Sequence, residues 1–143
     1  MKSLEMAADY IYRADRCLRE AETALSESDF AGVVRRSQEA LELAVKAVLR
    51  SIAVEYPHEH DVGEALDIVK DRLPPFLRGE VTKLKELLTE LSRVRGPAFY
   101  GYEREGIPAS KAFSKEYAHG TYSEVKRLVQ GCSTFIKSLY HSK

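Results

Sequence analysis

Apolar residues recur every three or four positions along most of the chain, and this spacing limits the fold more than any other feature. The period appears in five separate segments and matches the turn of an α-helix. The residues predicted to face the core are Leu4, Ala7, Ala8, Ile11, Ala14, Leu18, Ala21 and Leu25; Val33, Ser37, Ala40, Leu41, Ala44, Val45, Val48, Leu49 and Ile52; Val62, Leu66 and Val69; Val81, Leu84, Leu88, Leu91 and Ala98; and Ala118, Tyr122, Val125, Val129, Cys132, Ile136 and Leu139. No segment alternates apolar and polar residues as a half-buried strand does. The sequence therefore predicts an all-α fold, an antiparallel helical bundle of four longer helices plus a short one.

Polar residues, prolines and glycines mark where these helices are expected to begin and end. Proline disfavours helical backbone in the residue before it, and Ser and Asp side chains cap helix starts. Residues 96–110 contain three glycines and two prolines without a helical period, so a loop is expected there. The other expected boundaries are residues 26–29, Tyr56–Pro57, His60–Asp61 at the start of the short third helix, Pro74–Pro75, Gly96–Pro97 and Ser114.

The composition is typical of an ordinary globular protein. With 143 residues, 44% of them hydrophobic, the chain can bury a core, so one domain over residues 1–143 is expected. No apolar run reaches the ~18 residues of a membrane span, and the first ten residues lack the apolar stretch of a signal peptide. Cys17 and Cys132 lie beside or on apolar stripes without zinc-site spacing, which favours small buried side chains. We therefore expect a cytoplasmic protein with no membrane contact, no metal and no cofactor.

The charges balance in total but not along the chain. There are 22 Lys+Arg and 22 Asp+Glu; residues 1–69 carry 8 basic and 14 acidic side chains, and residues 70–143 carry 14 basic and 8 acidic ones. A neutral total argues against a broad, non-specific polyanion binder. It leaves room for a local phosphate site in the basic half, the alternative being solvated helix faces that happen to differ.

Chemically active side chains are densest in and just before the predicted loop. Arginines can hold phosphate groups, and aromatic rings can stack on bases. Arg95 also shares a predicted helical face with Leu84, Leu88 and Leu91. The pattern favours a guanidinium that forms an internal ion pair or a side chain that extends along the apolar surface. The alternative is that the guanidinium lines a cleft. The candidate nucleotide- or RNA-binding residues are Arg93, Arg95, Tyr100, Tyr102 and Arg104, with Phe99 beside them.

Three segments, taken in order and spacing, resemble the HEPN-domain family. Residues 35–50 (RRSQEALELAVKAVLR) are close to the family pattern for the second helix. Residues 57–61 (PHEHD) look like the His-Asp stretch that precedes the third helix. Residues 95–103 (RGPAFYGYE) align with the most informative motif of the family. The resemblance covers nearly the whole chain.

The resemblance implies a small helical bundle that forms a homodimer. Active members of the family are metal-independent ribonucleases, many of them toxins paired with a minimal nucleotidyltransferase. Their signature is Arg, four to six residues, then His, supplied by both protomers at the dimer interface. One toxin branch has Arg-x4-His-x-Tyr, and the partner silences the toxin by attaching nucleotide to the terminal Tyr. In this alignment Arg95 and Tyr102 fall in place, so Tyr102 is a candidate nucleotide-modification site, whereas Tyr100 stands where the signature has His.

The presence of Tyr100 at the histidine position affects catalysis more than binding. Cleavage of RNA without a metal requires proton transfer near neutral pH, which suits histidine with a pKa of ~6.5 better than tyrosine with a pKa of ~10. Arg95 could still bind phosphate and stabilise negative charge. Arg95 and Tyr100 are therefore the candidate catalytic residues of a degenerate motif, and the sequence leaves open whether the protein is an enzyme.

The functional hypothesis is a HEPN-type dimer that binds RNA or nucleotide phosphate at a cleft around Arg95 and the Tyr100–Tyr102 loop. The resemblance adds a minimal nucleotidyltransferase as its partner in a toxin–antitoxin-like module. One alternative is an active ribonuclease toxin that uses Arg95 with Tyr100 or a histidine from elsewhere, and another is a non-catalytic dimeric scaffold. His58, His60 and His119 have no assigned role; His58 and His60 lack a clear third metal ligand, which favours structural or capping roles.

Overall fold

The computed structural model describes residues 2–52 and 62–141, with the side chains of residues 3–52 and 62–140. In this part of the chain the secondary structure is helical apart from one isolated backbone pair, Tyr102 with Ile107. The predicted all-α fold is thereby confirmed. The helices are α1 (Lys2–Ser26), α2 (Phe30–Ser51), α3 (Val62–Ile68), α4 (Pro75–Arg78), α5 (Val81–Arg93), α6 (Arg95–Tyr100), α7 (Ala109–Ala112) and α8 (Lys115–His141), with 3-10 turns at Lys70–Arg72 and Glu103–Glu105.

The centre of the bundle is α2, which packs against both α1 and α8 and also contacts α3, α5, α6 and α7. Its buried side chains are the small and branched residues of the predicted stripe, from Val33 to Leu49. The predicted stripes of the other long helices are also buried except for Ala8, Leu25 and Leu139, which are half-exposed, as is Ile52 at the end of the α2 stripe. Burial of these continuous apolar faces is what holds a helical bundle together.

The connection between α1 and α2 is a tight turn of three residues. Ser28 adopts left-handed backbone (φ 59°), and the amide of Asp29 donates to the carbonyl of Ala24 at 2.8 Å, as in a Schellman motif at a helix end. The Asp29 carboxylate then accepts a hydrogen bond from the amide of Gly32 at 3.0 Å and caps α2. The predicted boundary at residues 26–29 is therefore correct, and α1 and α2 lie side by side.

The loop predicted for residues 96–110 is only partly correct, because residues 101–108 form irregular backbone with one 3-10 turn whereas both ends of the range are α-helical. Residues 95–100 form α6, which follows α5 after a break at Val94, and residues 109–112 form α7. Pro97 is the third residue of α6, in the first turn, where its missing N–H would have no helical acceptor. The predicted end or kink of the preceding helix therefore occurs at Val94, and the pair Gly96–Pro97 lies in the first turn of a new short helix. The short helices α4, α6 and α7 were all absent from the predicted arrangement.

The remaining predicted boundaries are either observed or lie outside the described residues. Ser114 accepts a hydrogen bond from the amide of Tyr117 at 3.0 Å and caps α8, as expected. Tyr56–Pro57 and His60–Asp61 lie outside the described residues, as do His58 and the segment 57–61. Among the described helices none is both long and apolar enough to cross a membrane.

Candidate functional site

The break between α5 and α6 determines where Arg95 lies. Val94 takes the buried position next to Leu91, and Arg95 is turned to the surface. Its side chain lines a small cleft together with Leu91 and Ala98. Within residues 2–52 and 62–141 no carboxylate forms an ion pair with Arg95. Of the roles expected for Arg95, the structure therefore favours the lining of a cleft over an internal ion pair.

The cleft holds a second arginine, Arg35, which is not among the binding residues predicted from the sequence. Its volume is about 70 Å³, and its polar lining comes from Arg35, Gln38 and Glu39 of α2 and from Arg95 of α6. A space of that size has room for about two water molecules, so it suits one small charged group and not a whole nucleotide. Two guanidinium groups next to one small space favour the binding of an anion there.

Arg35 is held against the aromatic ring of Phe99. The Cζ atom of Arg35 is 4.8 Å from the centre of that ring, a cation–π contact that orients the guanidinium. The Nε atom of Arg35 is buried and has no hydrogen-bond partner among the described residues. A buried, unsatisfied N–H is costly and requires an explanation. No signal in the sequence distinguishes Arg35 from the other charged residues of α2, and only the packing of α6 against α2 brings it to the cleft.

Glu39 is the carboxylate of the cleft, and its contacts point away from Arg95. One of its oxygens lies 3.0 Å from Nη1 of Arg36, and the other accepts a hydrogen bond from Sγ of Cys17 at 3.7 Å. Burial, followed by the charges of Glu39 and Glu20, raises the pKa of the Cys17 thiol to about 11. A protonated thiol is a poor nucleophile, so Cys17 acts as a buried apolar residue, as expected. Cys132 is buried and free as well.

Arg93 belongs to a separate network, and its charge is already compensated. Its Nε and Nη2 atoms donate to the two carboxylate oxygens of Glu90, each at 3.0 Å, and the hydroxyl of Tyr117 donates to Glu90 at 2.7 Å. The Tyr117 hydrogen bond, together with Arg93, lowers the pKa of Glu90, while partial burial opposes that shift. Burial and the neighbouring Glu90 raise the pKa of Tyr117. Arg93 is thus less available for a ligand than Arg95.

A short hairpin carries the last two candidate residues. Tyr102 and Ile107 exchange two backbone hydrogen bonds of 2.8 and 3.0 Å, and Gly101 (φ 74°) and Gly106 (φ 68°) adopt positive φ at its two ends. Tyr102 is half-buried, and its hydroxyl is near enough to Arg93 to interact with its charge. Arg104 is exposed on the 3-10 turn between them. The structure therefore separates Arg93, Tyr102 and Arg104 from the cleft of Arg35 and Arg95.

The exposed aromatic rings lie beside the cleft. Phe99 is 53% exposed and Tyr100 is 70% exposed, with their ring centres 6.0 Å apart. Tyr100 is therefore at the surface of α6. His119 is exposed on α8. No cluster of three or more metal-ligating side chains occurs in the described part of the chain.

A central apolar helix, flanking long helices and a short helix that carries the Arg95 motif define a HEPN-like helical bundle. The sequence profile described as HEPN domain matches residues 7–139 of this chain. The chain belongs to the HEPN domain family. That membership supports a general role connected with nucleotides or RNA. No curated protein and no solved structure gives a significant match.

Proposed function

We propose that this protein binds the phosphate of RNA or of a nucleotide in the cleft of Arg35 and Arg95, with the exposed rings of Phe99 and Tyr100 available for stacking on a base. One observation carries the proposal. Both guanidinium groups line a single small cleft, and among the described residues neither forms an ion pair with a carboxylate. A bound phosphate would compensate both charges and could accept a hydrogen bond from the buried Nε of Arg35.

The balance of charges in the cleft supports an anion over a cation. Among the described residues that line it, Glu39 is the only acidic one, and Arg36 already lies against that carboxylate. Aromatic stacking is worth about 1–3 kcal/mol per base in single-strand binding sites, so Phe99 and Tyr100 would add affinity for nucleotides over inorganic phosphate.

The binding experiment compares two arginines that differ in their surroundings. Calorimetric titration with ATP should show an affinity about tenfold lower for Arg95→Gln than for the wild type, because a charge-assisted hydrogen bond is worth about 1.5–3 kcal/mol. Arg13→Gln is the matched control, since Arg13 is an exposed arginine on α1 that faces Asp9 at 3.8 Å and lies outside the cleft. Equal affinities for the two variants would refute the proposed site.

We further propose that the protein acts as a homodimer and as the partner of a minimal nucleotidyltransferase that modifies Tyr102. HEPN domains commonly dimerise. In the proposed dimer the two copies would meet around this cleft, so that Phe99 and Tyr100, residue types that are enriched in interfaces, would line both the interface and the nucleotide site. The half-buried Tyr102 is held by its backbone pairing with Ile107, which would present the hydroxyl in a defined position. These features support a module in which binding and modification take place on neighbouring parts of one surface.

Phosphate binding is proposed in preference to ribonuclease activity. The position that holds His in the active signature is Tyr100, an exposed phenol, and tyrosine is a poor base near neutral pH. The carboxylate that lines the cleft with Arg95, Glu39, is already engaged by Arg36 and by the thiol of Cys17. Arg95 and Tyr100 are accordingly assigned to binding and not to cleavage.

A further inference from the structure

A second arginine-lined groove lies between α1 and the start of α2. It has a volume of about 450 Å³, which is in the range of ligand sites and much larger than the cleft at Arg95. Its charged lining consists of four arginines and three acids, together with the polar side chain of Thr23. The charged residues are Arg16, Arg19, Arg35, Arg36, Glu20, Glu27 and Asp29.

Most of the acidic groups in this groove are already engaged. Glu20 faces both Arg16 at 3.6 Å and Arg36 at 3.3 Å, and Asp29 caps the amide of Gly32. Glu27 is the remaining acid; it follows the last turn of α1, about 12 Å along the helix axis from Arg19.

The cationic groups are less fully paired. Among the described residues, neither Arg19 nor Arg35 forms an ion pair. Within residues 2–52 and 62–141, the groove therefore has two guanidinium groups without a paired carboxylate, on the facing helices α1 and α2.

Arg35 belongs to both cavities. It lines the α1–α2 groove and the cleft at Arg95, and its guanidinium lies over Phe99 between them. The two cavities are thus neighbours that share one arginine, with unpaired arginines on either side, Arg19 and Arg95. A ligand with a single phosphate could use only one of these positions, whereas a chain of phosphates could use both.

We propose that the α1–α2 groove is a second phosphate subsite, continuous with the first through Arg35, and that the ligand is a single-stranded RNA several nucleotides long. This inference rests on the proposed function and extends it from one phosphate to a strand. The exposed rings of Phe99 and Tyr100 at one end give bases a stacking surface, which an acidic peptide would not use. The neutral net charge limits the ligand to a short segment held by local contacts.

The test uses fluorescence anisotropy with labelled oligouridylate of about 12 nucleotides, within the site sizes of ~4–16 nucleotides that single-strand binding folds show. Arg19→Gln should weaken oligouridylate binding about fivefold and reduce the slope of log affinity against log salt by about 0.7, the value for one lost phosphate contact. Its affinity for uridine monophosphate, which carries a single phosphate, should stay unchanged, because the first phosphate cleft is intact. Arg13→Gln, six residues earlier on α1, should change neither affinity.

A variant that is expected to bind more tightly tests the proposal independently of any loss of folding. Glu27→Gln removes the unengaged acid of the groove, so oligouridylate should bind about twofold more tightly. A poly-glutamate peptide should not compete with the oligouridylate.

The results distinguish this inference from the function on which it rests. If Arg19→Gln binds oligouridylate as tightly as Arg13→Gln does, while Arg95→Gln still lowers the affinity for ATP, the second subsite is refuted and the first is supported. If Arg19→Gln weakens the binding of uridine monophosphate as much as that of oligouridylate, or if poly-glutamate competes equally, the strand proposal is overturned. If Arg95→Gln changes neither ligand, both proposals fail.

Discussion

The buried Nε atom of Arg35 destabilises the folded protein, and the contacts of Arg35 within the described residues only partly compensate for this. Its stem lies on the core helix next to buried Val34, and its Nε atom is out of contact with water and without a partner among the described residues. Leaving such a group unsatisfied costs about 1–3 kcal/mol. The contact with Phe99 recovers only part of that cost, about 0.5–2 kcal/mol. A buried polar group without a hydrogen-bond partner departs from the usual pairing of such groups, and departures of this kind are expected at functional sites.

The hydrogen bond from Tyr117 to Glu90 gives a prediction at the scale of one residue. Tyr117→Phe removes the largest influence that lowers the pKa of Glu90, so this pKa should rise toward its ordinary value. Stability at pH 7 should fall by about 1 kcal/mol, a modest amount because the carboxylate is partly exposed. Tyr12→Phe is the control, since Tyr12 is 63% exposed. Urea unfolding and NMR titration of the Glu90 carboxyl group measure the two effects.

The sign of the pH dependence follows from the lowered pKa. A carboxyl group whose pKa is lower in the folded protein stabilises the fold above its unfolded pKa of ~4.3 and loses that contribution as the pH falls through its folded value. The difference between wild type and Tyr117→Phe should therefore be largest at neutral pH and shrink below pH ~4. A difference that stays constant down to pH ~3 would exclude ionised Glu90 as its source.

At the scale of elements, the hairpin after α6 depends on Gly101 and less on Gly106. A Cβ atom at Gly101 would overlap the carbonyl oxygen of Ile107, whereas one at Gly106 would meet no atom within 4 Å. Gly106→Ala should cost about 1 kcal/mol from its positive φ alone, and Gly101→Ala should cost more than ~2 kcal/mol or open the hairpin.

Hydrogen exchange at the hairpin amides checks this prediction together with denaturant unfolding. The amides of Tyr102 and Ile107 should lose protection in Gly101→Ala and keep it in Gly106→Ala. Equal costs for the two substitutions would mean that steric overlap at Gly101 does not hold the turn closed.

At the scale of the whole molecule, the exposed rings next to the cleft predict how copies of the chain associate. Phe99→Ser together with Tyr100→Ser should weaken the proposed homodimer at least ~tenfold, because large aromatic side chains dominate interface energies. Light scattering after size-exclusion chromatography over a range of concentrations measures the change. Tyr12→Ser is the control, since it removes an exposed ring from α1 instead. A wild-type protein that is monomeric at all concentrations would contradict the dimer proposal.

The fold was largely predictable, and the site was predictable only in part. The buried stripes of α1, α2, α5 and α8 follow directly from the helical period, because a long amphipathic helix can bury only one face. The motif pointed to Arg95 but not to Arg35, since spacing within one segment carries no information about a residue sixty positions earlier. The sequence pattern placed a helix break near Gly96–Pro97 but did not predict the short helix there, because both residues are compatible with a loop and with the first turn of a helix.

The sequence alone determined the helical class, the long helices, their core faces and the membership of the family, because these depend on local periodicity and on motifs that are read along the chain. Only the tertiary structure decided that α6 follows α5 after a break at Val94, that Arg95 meets Arg35 across a small cleft, and that Arg93 is held by Glu90 instead. These contacts depend on how α2, α5 and α6 pack against one another. Packing joins residues that are distant in sequence, and no local pattern records which of their charges will meet.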